Sequence, residues 1–261
     1  MPQGRSITTE LRLSNLVVLS IALAVMVFYL LGQGSDALYL FAHLGLIAFV
    51  GIAGMFGLVS FARLGKSKPG FASLGFGVGL ILWMFGLVVY TYSYLITSVD
   101  LPYLSLADIF YLLSYLPIIL GCFGMLWVIG PSLGRINWLL TAVTGVFLCL
   151  MVVVYGVIPS IETLDTPLEV LVTALYPLLD DLILVLLLPL FFAFRKSIFR
   201  TPYTLLAAGA FLIALGDLVF TYVNLTVGYY DGHPLDLLWF TGSIAYGYGF
   251  WRLHAGFNPR K

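Results

Sequence analysis

Residues 176–194 read YPLLDDLILVLLLPLFFAF. Two adjacent acids, Asp180 and Asp181, interrupt a run otherwise suited to hydrocarbon, and no lysine or arginine follows until Arg195. Whether this run crosses a membrane decides the fold, and the rest of the chain answers. Of 261 residues, 61% are hydrophobic and only 9% charged, with a mean hydropathy of +1.07. Soluble domains carry roughly a quarter charged residues, so the composition is that of an integral membrane protein. Backbone polar groups in lipid must be satisfied within the chain, and the long apolar runs therefore read as helices.

A spanning helix needs about 20 mostly apolar residues. Eight segments qualify, near 14–32, 36–62, 71–97, 105–129, 136–158, 166–194, 202–228 and 235–253. Turn chemistry separates them at Gly32-Gln33-Gly34-Ser35, Lys68-Pro69-Gly70, Gly130-Pro131-Ser132, Thr201-Pro202 and Gly232-His233-Pro234. The first span resembles a signal peptide, with Arg5 and Arg12 before an apolar core, but has no clear small-residue cleavage site and is kept as a helix. Cys122 and Cys149 lie in apolar segments without a CxxC pair and read as two free thiols.

The net charge is zero, yet the charges are sorted by side. Arg63, Lys66, Lys68, Arg135, Arg195, Lys196 and Arg200 fall in even-numbered loops, and the remaining basic residues fall near the two termini. Asp36, Asp100, Asp108, Glu162, Asp165, Glu169, Asp231 and Asp236 take the opposite ends. The positive-inside rule then predicts that both termini are cytoplasmic. The expected location is the plasma membrane of a prokaryote.

An internal repeat is expected as well. FGLVVYTY at 85–92 aligns with LGDLVFTY at 215–222, Arg63 with Arg195, and PYLSLADIFYLL at 102–113 with HPLDLLWF at 233–240. The fold class predicted is all-α: eight transmembrane helices as two parallel four-helix repeats, 1–130 and 131–261, forming one membrane domain. Asp180, Asp181 and Asp217 then correspond to Ala48, Phe49 and Leu87, so deep acids belong to the second half alone.

Asp181 lies roughly 21 Å from Arg195 along the helix, and Asp217 about 25 Å from Arg200, which places both near mid-bilayer. A carboxylate at that depth costs on the order of 3 kcal/mol on insertion scales, so retained or shared protons are expected. Intramembrane acids mark functional sites by default; the competing reading is a protonated Asp bonded to a neighbouring helix. Successive helix residues differ by about 100°, so Asp180 and Asp181 cannot both face one centre. The expected ligand-binding set is Asp180, Asp181, Asp217, Tyr176, Tyr222, Tyr92, Tyr115 and Trp239. Asp108 and Asp236 open helices entering from outside and read as helix caps or as the rim of a pocket. Outer tyrosines such as Tyr90, Tyr94, Tyr103, Tyr111, Tyr229 and Tyr230 form an aromatic belt and are candidates for the pocket wall. Glycines on the second and third spans read as close packing, and His43 as packing or a polar contact. No lysine lies within a span, and no phosphate loop or nucleophile elbow is present, so no cofactor or metal is expected.

The strings SLADIFYLLSYLPIILG, YPLLDDLILVLLL, LLAAGAFLIALGDLVFTY and YYDGHPLDLLWFTGSIAYG, within residues 71–253, resemble the multi-span input domain that precedes many GGDEF-type diguanylate cyclases. Asp108, Asp180, Asp217 and Asp236 match that family's four acids, with Tyr176-Pro177 and Trp239. The resemblance implies a sensory or ligand-binding module, more a sensor than an enzyme, whose stimulus is not specified. With no output domain in these residues, its signal would pass to a cytoplasmic or membrane partner or along a longer chain. A lipid or small apolar ligand and a homodimer fit this reading; nothing points to nucleic acid. Ala214-Leu-Gly216-Asp217 is also similar to the Gly-x-Gly-Asp of presenilin-type aspartyl proteases, and its Gly-Asp to lysoplasmalogenase-type hydrolases. The first glycine of the protease motif is alanine here, and no Pro-Ala-Leu motif occurs. The alternatives kept are thus an aspartate-based intramembrane hydrolase, with Asp180, Asp181 and Asp217 catalytic, and a proton- or cation-coupled transporter.

Overall fold

The computed structural model describes residues 3–97, 105–129, 133–197 and 199–256. Asp100, Tyr103 and the turn at Gly130-Pro131-Ser132 lie outside them. Among the described residues there are helices and connecting turns and no strands. The helices are α1 (Gln3–Leu31), α2 (Asp36–Leu64), α3 (Lys68–Tyr92, with a widened turn at Ser93–Thr97), α4 (Leu106–Ile129), α5 (Arg135–Thr163), α6 (Pro167–Phe194), α7 (Arg200–Thr226) and α8 (Asp236–Gly256). α5 widens by one residue per turn at Val153–Val157, just before Pro159, whose missing N–H removes a rung of the regular ladder.

Seven of these helices, α1 to α7, are long and apolar enough to cross a membrane. α8 has the length, 21 residues, but its tyrosines, glycines, Arg252 and His254 dilute its hydropathy. Their starts follow the turn chemistry. Ser35 and Ser67 accept from Leu38 N and Gly70 N, both at 3.2 Å. Thr166 and Glu169 close a reciprocal capping box ahead of α6.

Six helices form a closed ring in the order α2, α3, α4, α6, α7, α8, with α8 packing back on α2. α1 lies outside against α8, and α5 outside against α6. Small residues set the closest approaches: a methyl added at Gly75 on α3 would sit 2.2 Å from the Pro117 carbonyl oxygen of α4. The half of the ring nearest the α2–α3 and α6–α7 turns is packed shut by Phe76, Cys122, Leu187, Leu190, Tyr203, Phe250 and Leu253, all almost fully buried. The opposite half, nearest the α1–α2 and α7–α8 turns and termed the outer half, is not closed in this way.

Candidate functional site

In that outer half a cavity of about 660 Å³ is walled by all six ring helices and by neither α1 nor α5. Its floor is Ile118, Ile183, Ile213 and Tyr246, and its mouth is formed by Tyr39, Tyr94, Tyr230 and Asp231. The volume is within the range, roughly 300–1,000 Å³, that small-molecule sites occupy. Five aspartates line it, Asp108, Asp180, Asp217, Asp231 and Asp236, with no lysine or arginine on the wall.

The hydrogen-bond partners separate these acids. Asp108 accepts from Ser105 N (2.7 Å) and Ser105 Oγ (2.8 Å), the cap expected from the sequence, and from the Tyr176 hydroxyl of α6 at 2.5 Å. Asp236 accepts from Tyr229 (2.6 Å), Tyr29 (3.1 Å) and Gly232 N (3.0 Å). It ties α1, the outer turn and α8 into one corner. Each of these acids is satisfied by three donors, and each also faces the cavity. The cap and rim readings therefore both describe them.

Asp180 and Asp217 are different. Their carboxyl groups approach one another across the α6–α7 interface, and the Tyr115 hydroxyl of α4 approaches both. Trp239 Nε1 donates to Asp217 Oδ1 at 2.6 Å. Two carboxyl groups bond to one another only when a proton lies between them, since each is otherwise acceptor-only. Asp180 is only 5% exposed, and its Oδ2 receives no donor. Asp217 is partly exposed and lines the cavity.

Asp181 turns away, as the 100° step requires. It is buried but off the cavity wall, and its Oδ2 is also without a donor. Val185, one turn on, packs beside Gly145 of α5, so this face of α6 looks toward α5. Tyr92 and Tyr222, expected at the site, are respectively 59% and 39% exposed and do not line the cavity. Tyr222 instead stacks edge-on with Tyr155 of α5. Of the expected set, Asp180, Asp217, Tyr176, Tyr115 and Trp239 are brought together.

Sequence reasoning did not place three contributors at the site. Tyr29, fully buried on α1, carries no motif and is recognisable only through its bond to Asp236. His43 stacks on Tyr90 and Tyr94 with ring centroids 5.8 and 5.6 Å apart. Its Nε2 lies 3.5 Å from Asp231, which the sequence placed only as an outer acid. Outside the spans, burial pushes the Tyr229 hydroxyl well above its ordinary range and His233 below its own.

Among the described residues no three His, Cys, Asp or Glu side chains converge as a metal site. Comparison with protein-family models, curated proteins and solved structures yields no match.

Proposed function

We propose that the chain is a membrane sensory module that binds a small ligand in the outer cavity and transmits its presence by moving one half of the ring against the other. The carrying observation is that α2, α3 and α4 supply one wall and α6, α7 and α8 the opposite wall of the same cavity. A ligand that fills it touches both halves, and differential contact is what shifts a conformational equilibrium. Pro117 and Pro177 interrupt the ladders of α4 and α6 beside the cavity and give those helices places to bend. Ligand, partner and the kinship with cyclase input domains belong to this proposal.

The reading includes eight spans with both termini cytoplasmic and a parallel four-helix repeat. Support for the repeat comes from the cavity wall. Trp83, Leu87, Tyr90, Thr91 and Tyr94 line it from α3, and Ile213, Asp217, Phe220, Thr221 and Asn224, 130 positions later in each case, line it from α7. Matching glycines admit matching side chains: Gly86 faces the Tyr111 ring and Gly216 the Trp239 indole, while Gly79 faces Ile118 and Gly209 faces Tyr246. The wall positions of α2 and α6 follow the same spacing, so Val50 rather than Ala48 corresponds to Asp180. α1 and α5 break the symmetry, since one packs on α8 and the other on α6.

Spin labels on the inner ends of α3 and α7 test the sensing step by pulsed dipolar spectroscopy. Ligand saturation should shift their distance distribution; an unchanged distribution would refute coupling between the halves. A second reading, the aspartate-based hydrolase, is favoured by the approach of Asp180 to Asp217, since a dyad needs two carboxyls near enough to share a proton. Cleavage of a model transmembrane peptide or a lysoplasmenyl lipid, abolished alike by Asp180→Asn and Asp217→Asn, would support it.

A further inference from the structure

The wall chemistry narrows the ligand, on the premise that the cavity is the sensory site. Three of its acids already have partners: Asp108 and Asp236 have three donors each, and Asp231 has the His43 imidazole at 3.5 Å. Asp180 and Asp217 have fewer donors than their oxygens can accept, and Asp180, only 5% exposed, has no donor on Oδ2. A buried polar atom without a partner is rare and calls for one from outside the chain. No lysine or arginine on the wall competes for the pair. An anionic ligand would meet two acids and no basic residue there.

The surroundings of the pair specify more. Tyr111, Tyr176 and Trp239 stand on the outer side of the two carboxyls, and the aliphatic Ile118, Ile183 and Ile213 lie below them. Aromatic faces attract cations within about 6 Å of the ring centroid, best when water is excluded, and recognition of organic ammonium groups uses this combination of rings and carboxylates. A metal ion lacks a third protein ligand here. We propose that the deep end of the cavity binds an organic ammonium group, held against the Asp180–Asp217 pair under Trp239 and Tyr111, with its apolar body extending toward the mouth. The same chemistry belongs to a free amine and to an aminolipid headgroup.

A matched series tests this on the full chain in nanodiscs of pure phosphatidylglycerol: 4-phenylbutylamine, its trimethylammonium derivative, 4-phenylbutanol and 4-phenylbutyrate, by calorimetry. The amine should bind at least tenfold tighter than the alcohol, and the carboxylate should not bind. Asp180→Asn and Asp217→Asn should erase that preference, and Asp181→Asn, off the wall, should keep it. Selectivity on the unaltered chain decides the matter even where a variant does not fold. Displacement of the amine by added phosphatidylethanolamine assigns the group to a lipid headgroup; displacement by free ethanolamine alone assigns it to a soluble amine. Equal binding of amine and alcohol, or no binding of either ammonium probe, overturns the inference. Alcohol binding that shifts the distance between the halves would do so while leaving the sensory reading intact. Ammonium binding without that shift would do the reverse.

Discussion

Asp236 offers the sharpest test of how the outer corner is built. Its carboxylate serves Tyr29, which is fully buried, the buried Gly232 N–H, and the half-buried Tyr229 hydroxyl. Asp236→Leu preserves bulk but leaves all three donors without an acceptor. Each buried orphan costs about 1–3 kcal/mol, so the two fully buried donors alone imply a loss of about 2–6 kcal/mol. Asp236→Asn should be far milder. Its carbonyl can take the place of Oδ2 and hold Tyr29 and Gly232, while the Tyr229 hydroxyl rotates to accept from the amide, a cost of about 1 kcal/mol. Adding Tyr29→Phe to Asp236→Leu removes one orphan, so the double variant should recover about 1–3 kcal/mol relative to additivity. Equilibrium unfolding in mixed micelles, followed by tryptophan fluorescence, measures all four chains of the cycle. An Asp236→Leu protein within 1 kcal/mol of the parent, or strict additivity with Tyr29→Phe, would refute the assignment of Asp236 as the common acceptor (threshold set by the usual net worth of one bond, about 1 kcal/mol).

Other outcomes follow from the same coordinates. Gly75→Ala should destabilise by about 1–3 kcal/mol, because the new methyl meets the Pro117 carbonyl oxygen at 2.2 Å, whereas Gly124→Ala, with nothing within 4 Å, should stabilise by a few tenths or more through helix propensity. Parallel unfolding curves decide it. Trp239→Phe should cost about 1.5–3 kcal/mol by removing the indole donor from Asp217. Gly216→Ala, which places a methyl 2.9 Å from that nitrogen, should be less than additive with it in a double-mutant cycle. His233 accepts from Leu235 N through Nδ1, a bond only an unprotonated nitrogen can take, and burial lowers its pKa from the usual 6.5. The unfolded chain therefore binds the proton first, and stability falls as pH drops below about 6.5. Unfolding midpoints of the parent minus those of His233→Gln should show that fall; a flat difference sinks it.

The elements were legible because lipid leaves the backbone no other option. Apolar length located every helix to within a few residues, except that the first begins at Gln3 rather than near 14 and the fifth runs on to Thr163 through its widened turn. The cap at Ser105–Asp108 and the turn ending at Ser35 were legible in sequence, whereas the caps at Ser67 and Thr166 emerge only in the structure. The divergence of Asp181 from Asp180 also followed from helical twist alone.

Rotation about each helix axis did not follow. These helices are apolar nearly all round, so in hydrocarbon no polar face tells one side from another, and close packing at residues such as Gly75 and Gly86 sets the facing instead. That is why Tyr92 and Tyr222 looked equivalent to Tyr115 and Tyr176 but point away from the cavity. Ring closure of α8 on α2 likewise joins residues some 190 positions apart, such as Ser60 and the Phe250 carbonyl, which no local pattern announces. Sequence determined which segments form long apolar helices; only packing in three dimensions decided which of their side chains share one chamber, because shape rather than hydrophobicity orients helices in lipid.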